Sequence, residues 1–278
     1  MEQHPVSTAT DSAATTGGSM QPQVITLLGS GNVATHLAQA FHAAGHQILQ
    51  VWSRDFDHAE ALASKVMAEP IDKLQLLYPT ADVYVLAVSD DALFDLALDL
   101  HLREALVLHT SGSVGRIVLA PISRHNGVIW SPQTFVRDIP MDYATLPFCI
   151  EASSPAAEQR IRALLQPVSP AIYHVEGEGR QRLHLAATMV SNFSGALYAV
   201  AADLLQQYHL PFEVLQPLIV STAGKVWHPP LWHTLTGPAV RRDSHTIDHQ
   251  RALLADDAAL LELYDLMTKL IMERTHRG

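Results

Sequence analysis

At 278 residues the chain is long enough for two modest domains with a real core. Hydrophobic residues make up 48% and charged residues 17%, and 28 acidic against 18 basic side chains leave a formal net charge of −10. That field opposes a phosphate backbone, so nucleic acid is not an expected partner. A single cysteine, Cys149, excludes an intrachain disulfide and agrees with a reducing, cytoplasmic setting.

Residues 1–19, MEQHPVSTATDSAATTGGS, are rich in Ser, Thr, Ala and Gly. They lack the basic start and apolar stretch of a signal peptide and are expected to form a flexible tail outside the fold. From Gln23 to about Val175, short apolar runs alternate with helix-period stretches, the pattern of a doubly wound parallel sheet. The runs are Val24 to Leu28, Ile48 to Trp52, Val83 to Val88, Leu106 to His109, Val128 to Trp130, Phe148 to Ile150 and Ile172 to Val175. Between the first two, Val33, Leu37, Ala40, Phe41 and Ala44 fall at helical spacing, with Gly45 as the stop. Residues 20–177 are therefore expected to form an α/β domain and residues 178–278 a helical one.

The first strand ends in Gly29-Ser30-Gly31-Asn32-Val33-Ala34, a GxGxxA turn opening the first helix. The first glycine permits the tight turn, the second lets the backbone approach a pyrophosphate, and the small Ala34 packs helix on strand. The unpaired N–H groups and the positive end of the helix then face the anion. At the end of the second strand, where a carboxylate would bind the ribose of NAD, stand Ser53 and Arg54. A hydroxyl followed by a guanidinium suits the 2′-phosphate of NADP, while a one-residue slip would bring Asp55 to the ribose. Later strands end in Val88-Ser89-Asp90 and in Thr110-Ser111-Gly112-Ser113, whose small and hydroxylated side chains can border a nicotinamide ring.

Beyond Gly177 and Gly179 the strand signals stop. Helices are expected over Arg180 to Tyr208, Phe212 to Val226, Ser244 to Leu254 and Asp257 to Arg274, with Pro211, Pro229, Pro230 and Pro238 at the breaks. From Leu183 to Ala202 no Asp, Glu, Lys or Arg occurs, but His184, Thr188, Ser191, Asn192 and Ser194 are costly in lipid, so a helix enclosed in protein is expected rather than a membrane span. Being apolar nearly all round, this helix favours a homodimer built on the helical domain.

His184, Thr188 and Asn192 recur every four residues and so form one polar stripe on that helix. An imidazole can exchange a proton near neutrality, and a carboxamide can polarise a carbonyl or imine. Lys225, near the end of the next helix, is a candidate acid or anion holder, or only a cation at a helix C-terminus. In the loop from Leu235 to Asp243, Thr236 and Arg241 are candidate substrate contacts and Asp243 a helix cap. Among sixteen histidines, the pairs His245/His249 and His228/His233 lack the ligands that would complete a metal site, and none is expected.

The chain resembles bacterial proteins that join a Rossmann-like NADP-binding domain to a DUF2520 helical domain, grouped as NADP- or F420-dependent oxidoreductases. The resemblance rests on LLGSGNVATHLA (27–38), VWSR (51–54), HTSGS (109–113), QTF (133–135), LHLAA (183–187), SNF (191–193), LPFEVLQPLI (210–219) and TGPAVRRD (236–243). Ser131, Ser221 and Leu235 depart from the family pattern. In layout the family is similar to pyrroline-5-carboxylate reductase and β-hydroxyacid dehydrogenases. This implies a C-terminal domain like that of 6-phosphogluconate dehydrogenase, which dimerises and helps form the active site. The activity so implied is hydride transfer between NADP and a small carbonyl, imine or redox carrier, with a non-catalytic NADP(H) sensor as the alternative. The matched motifs carry family roles over to Gly29, Gly31, Ser53, Arg54, His184, Asn192, Lys225, Thr236, Arg241, Asp243 and His249. Taken with the reading of the residues, Gly29, Ser30, Gly31, Asn32, Val33, Ser53, Arg54, Val88, Ser89, Asp90, Thr110, Ser111 and Gly112 are the expected cofactor contacts, Ser113, Gln133, Thr188, Thr236 and Arg241 the expected substrate contacts, and His184, Asn192 and Lys225 the expected catalytic groups.

Overall fold

Strands buried on both faces read as continuous apolar runs, and the runs of this chain line up side by side. The computed structural model describes residues 21–275, so the tail expected over residues 1–19 lies outside them. One sheet holds β1 (Val24–Leu28), β2 (Gln47–Trp52), β3 (Glu69–Ile71), β4 (Val83–Leu86), β5 (Leu106–His109), β6 (His125–Trp130), β7 (Phe148–Ala152) and β8 (Ile172–His174). Their order is β3-β2-β1-β4-β5-β6-β7-β8. Helices α1 (Asn32–Ala43), α2 (Phe56–Ala63), α3 (Asp90–Asp99) and α4 (Pro155–Leu165) connect them. The order reverses at β1, which has β2 on one side and β4 on the other, and such a switch point opens a crevice at the strands' C-terminal ends.

Alternation along each strand feeds two apolar layers. Ile25 and Leu27 pack with Leu37, Phe41, Ile150 and Leu164 on one face, and Leu28 packs with Tyr84, Leu93, Leu96 and Val107 on the other. Phe41 is fully buried, a contribution of about 1.5–3 kcal/mol. Helix α1 ends where expected: Gly45 adopts φ 89°, and the N–H groups of Gly45 and His46 return to the carbonyls of His42 and Phe41 at 3.0 Å.

The structure corrects the sequence reading in two places. The sheet is not wholly parallel, because β6 and β7 run antiparallel with Trp130 opposite Cys149. A parallel neighbour needs a crossover back to the starting end, usually a helix. Residues 131–147 contain only a 3-10 turn at Tyr143–Thr145, so β7 begins where β6 stops. Strand β3 was not expected at all; it is a short edge strand containing Pro70, a residue that edges tolerate.

The segment over 131–147 forms a strap fastened to α1. His36, buried on that helix, bonds the Val136 carbonyl at 2.9 Å and the Tyr143 hydroxyl at 3.1 Å, and Tyr143 also donates to Gln39 at 3.2 Å.

By its contacts the chain divides into one unit ending at Gly195 and a second beginning at Ala196. Helix α5 (Gly177–Thr188), a π-helical stretch (Met189–Phe193) and α6 (Ser194–Gln206) form one helix, Gly177–Gln206, that starts three residues before the expected Arg180. On it Leu185, Met189, Val190 and Phe193 are exposed among the described residues, the apolar surface on which the expectation of a homodimer rests. Its length and mean hydropathy of 1.3 would also permit a membrane crossing, on composition alone. The second unit continues with α7 (Gln216–Gly224), α8 (Pro238–Arg241), α9 (Ser244–Leu253) and α10 (Ala258–Thr275).

Candidate nucleotide cleft and substrate pocket

The loop between β1 and α1 is shaped by two glycines with different tasks. Gly29 adopts φ 120°, and a Cβ there would lie 2.2 Å from the Ala87 carbonyl oxygen, so only glycine lets the loop press against the end of β4. At Gly31 an added Cβ would meet no atom within 4 Å, because that space belongs to a cleft. No side chain caps α1, which leaves its first N–H groups without an intrahelical partner. The cleft has a volume of about 460 Å3, and its walls include Gly29, Ser30, Gly31, Asn32, Val33, Ser53, Arg54, Val88, Ser89 and Thr110.

Its far end carries an uncompensated cation. Arg54 is exposed, with no hydrogen bond or ion pair among the described residues. Ser53 accepts from the Ser30 hydroxyl at 3.0 Å, which ties the second strand's end to the glycine loop. The Asp55 carboxylate is occupied: it accepts from the N–H groups of Asp57 at 3.0 Å and His58 at 3.3 Å and so caps α2. His58 also lines this end of the cleft and had no signal in the sequence beyond being a surface histidine.

The remaining residues expected at the cofactor stand beside the cleft. Asp90 accepts from the Ser113 hydroxyl at 2.5 Å, and the Ser111 hydroxyl accepts from the N–H of Val114 at 3.0 Å. Gly112 is buried against the rings of Trp130 and His184, where an added Cβ would lie 2.9 and 3.0 Å from them. Those two rings meet edge to face, with centroids 5.5 Å apart.

They also head a second cavity of about 220 Å3, walled by Trp130, Gln133, His184, Thr188 and Asn192, among others. The polar stripe therefore lines a pocket together with Gln133. The Thr188 hydroxyl is spent on the His184 carbonyl at 3.1 Å, and Ser191 bonds Thr134 at 2.6 Å, joining helix to strap. Asn192 lies in the π-helical stretch, a distortion found often at functional sites. A third cavity, of about 80 Å3, shares Val33 and Thr110 with the first and Trp130, Ser131 and Gln133 with the second.

Sequence reasoning missed what lies beneath. One turn before His184, the stripe continues with Arg180, which is fully buried and paired with Glu151 of β7. Its guanidinium also donates to the Val114 carbonyl at 2.6 Å, so α5 is clamped to the loop bearing Gly112. Arg116 approaches Glu151 at 3.4 Å from the other side. His109 is buried nearby, and burial, reinforced by the Arg180 charge, pushes its pKa down to about 3. Cys149 is buried behind Trp130, and burial raises its thiol pKa, which disfavours a thiolate nucleophile.

Lys225, Thr236 and Arg241 belong to the second unit. Lys225 is half-buried at the start of a 3-10 turn, Thr236 is exposed, and Arg241 closes α8. Asp243 caps α9 by accepting from the Thr246 N–H at 3.1 Å, and that bond holds its carboxyl below the usual carboxylate range. Among the described residues no cluster of three His, Cys, Asp or Glu side chains is placed to hold a metal.

Comparison with known proteins agrees with this layout. Residues 24–111 match the family described as NADP oxidoreductase, coenzyme F420-dependent, and residues 146–271 match DUF2520, a domain of unknown function. No curated protein matches. Among solved structures, a protein of Bacteroides fragilis assigned as an NADP oxidoreductase is 39% identical with a TM-score of 0.86, over 92% of this chain and 100% of its own. An imine reductase from Myxococcus stipitatus in complex with NADP+ shares the fold at 20% identity, with a TM-score of 0.64 over 92% of this chain and 95% of its own. A reductive aminase from Aspergillus terreus in complex with NADPH and ethyl-5-oxohexanoate does so at 15% identity, with a TM-score of 0.67 over 93% and 95%. The chain belongs to the NADP oxidoreductases in which this nucleotide-binding module is followed by a DUF2520 domain.

Proposed function

We propose that the protein passes hydride between NADP and a small carbonyl or imine seated in the pocket of His184 and Asn192. The observation that carries the reading is the shared walls: Val33 and Thr110 join the nucleotide cleft to the intervening cavity, and Trp130, Ser131 and Gln133 join that cavity to the polar pocket. The chain's own residues fit NADP. Gly31 leaves open space beside the unpaired N–H groups of α1, Arg54 is free for a 2′-phosphate, and Asp55 is withdrawn from the ribose by its capping role. The activities named for two similar folds, imine reduction and reductive amination, support the substrate class.

NADPH, when bound, supplies the hydride. The glycine loop holds the diphosphate, Ser53 and Arg54 the 2′-phosphate, and the loop over 110–113 shapes the approach to the reacting carbon. His184 gives or takes the proton at the substrate oxygen or nitrogen, and the Asn192 carboxamide donates a hydrogen bond to the same atom. In the second unit Lys225 remains a candidate catalytic residue, and Thr236 and Arg241 candidate substrate residues. A second copy of the chain covering the exposed apolar helices completes the reading, in a cytoplasmic protein.

The test is NADPH titration of the purified protein, followed by NADPH oxidation and NADP+ reduction across panels of carbonyls, imines and deazaflavins. Arg54→Ala should weaken NADP+ about ten- to a hundredfold, the equivalent of one charge-assisted contact, and spare NAD+. Asn192→Ala should abolish turnover at unchanged cofactor affinity. Absence of binding to either nucleotide overturns the reading.

A further inference from the structure

The glycine loop is gripped from behind by a residue more than a hundred positions away in sequence. Arg137, half-buried on the strap over 131–147, donates from Nη2 to the Ser30 carbonyl at 2.7 Å. Ser30 is itself buried, and the strap is moored on both sides of Arg137 by the His36 contacts to Val136 and Tyr143. Arg137 does not line the nucleotide cleft. It lines a small cavity of about 20 Å3, with Thr35, His58 and Lys65, that shares Ser30 and His58 with the cleft but not Gly31.

A trans peptide unit points its carbonyl and its N–H in opposite directions. With the Ser30 carbonyl turned to the guanidinium, the N–H of Gly31 is turned away from it, to the side where Gly31 walls the cleft. We propose that Arg137 is a positioning residue for the cofactor diphosphate: it fixes the Ser30–Gly31 peptide so that the Gly31 N–H is presented to the anion. It also adds a positive charge behind the loop, on the side away from the ligand. The inference rests on the nucleotide reading above and assigns a selectivity pattern different from that of Arg54. A group acting on the diphosphate serves NADP and NAD alike, whereas one acting on the 2′-phosphate serves NADP alone.

The experiment is titration of the full-length protein with NADP+, NAD+ and 2′-AMP, which carries the 2′-phosphate and no diphosphate. Arg137→Gln should weaken NADP+ and NAD+ by the same factor, about tenfold, as expected for the loss of one charge-assisted hydrogen bond. Binding of 2′-AMP should stay at the wild-type level, which also shows the cleft to be intact. Arg137→Lys, whose ammonium can still donate to the carbonyl, should bind both dinucleotides within about threefold of wild type. The inference is overturned by unchanged dinucleotide affinity in Arg137→Gln, by a loss confined to NADP+, by a parallel loss of 2′-AMP, or by a lysine variant as weak as the glutamine one. Failure of the wild-type protein to bind either dinucleotide sinks the nucleotide reading itself and is thereby distinguished.

Discussion

The sheet-bearing unit and the helices that follow it dispose of their apolar side chains in opposite ways. From Ile25 to Val168, strand after strand contributes residues with almost no exposure, and both faces of the sheet are covered by the unit's own helices. After Gly195 the only buried apolar side chains among the described residues are Ala239 and Ile247, while Val220 and Trp227 are 72% and 81% exposed. A high apolar content is thus not the same as a core. The first unit buries a core of its own, whereas the helices that follow leave most of their apolar side chains exposed, the surface on which the proposed dimer rests.

The contrast can be broken most severely in the helical unit. Leu218→Glu combined with Val220→Glu should convert a dimer into a monomer in sedimentation and lower its thermal midpoint, with the wild-type midpoint rising with protein concentration. Unchanged size and a stability change within about 0.5 kcal/mol, as for an ordinary surface site, would end the comparison. In the sheet unit, Arg180→Met removes the closer partner of the mostly buried Glu151, leaving the 3.4 Å contact to Arg116, and should cost about 3 kcal/mol in urea unfolding.

A smaller effect per pH unit comes from His109. Its folded pKa of about 3 lies below the unfolded value near 6.5, so between these limits the unfolded chain binds a proton that the folded one refuses. Stability is then full above about pH 6.5 and falls by about 1.4 kcal/mol per unit as pH drops below it. His109→Gln should reduce that slope by one proton, read from unfolding curves at several pH values. The smallest expected effect sharpens the picture of the helical unit: Asp243→Ala removes the cap of α9 and should cost about 1 kcal/mol in its thermal transition.

What could be read from the residues depended on how local the cause was. The limits of β1 and β5 follow from their apolar runs, and the start and stop of α1 from Gly31 and Gly45, all causes contained within a few residues. The reversal at β7 was not legible, because it depends on a strap that forms no helix and is fastened to α1 by His36. For the site, the stripe His184, Thr188, Asn192 was visible as a spacing, and its union with Gln133 in one pocket was not. Arg180 marked only the expected start of a helix. Only the fold brings Glu151 to it from 29 residues away and makes the pair a buried clamp.

The turn-back of β7 against β6 has a bearing on how this protein can be recombined with its relatives. The DUF2520 match opens at residue 146, so β7, α4 and β8 fall within it although they complete the sheet of the nucleotide-binding unit. A chimera spliced at that point would carry three pieces of a foreign scaffold into the host sheet, together with the Glu151 end of the buried ion pair. A graft joined after Gly195 would leave hydrogen-bonded ladder and clamp intact, and that junction is where shuffled partners should be exchanged.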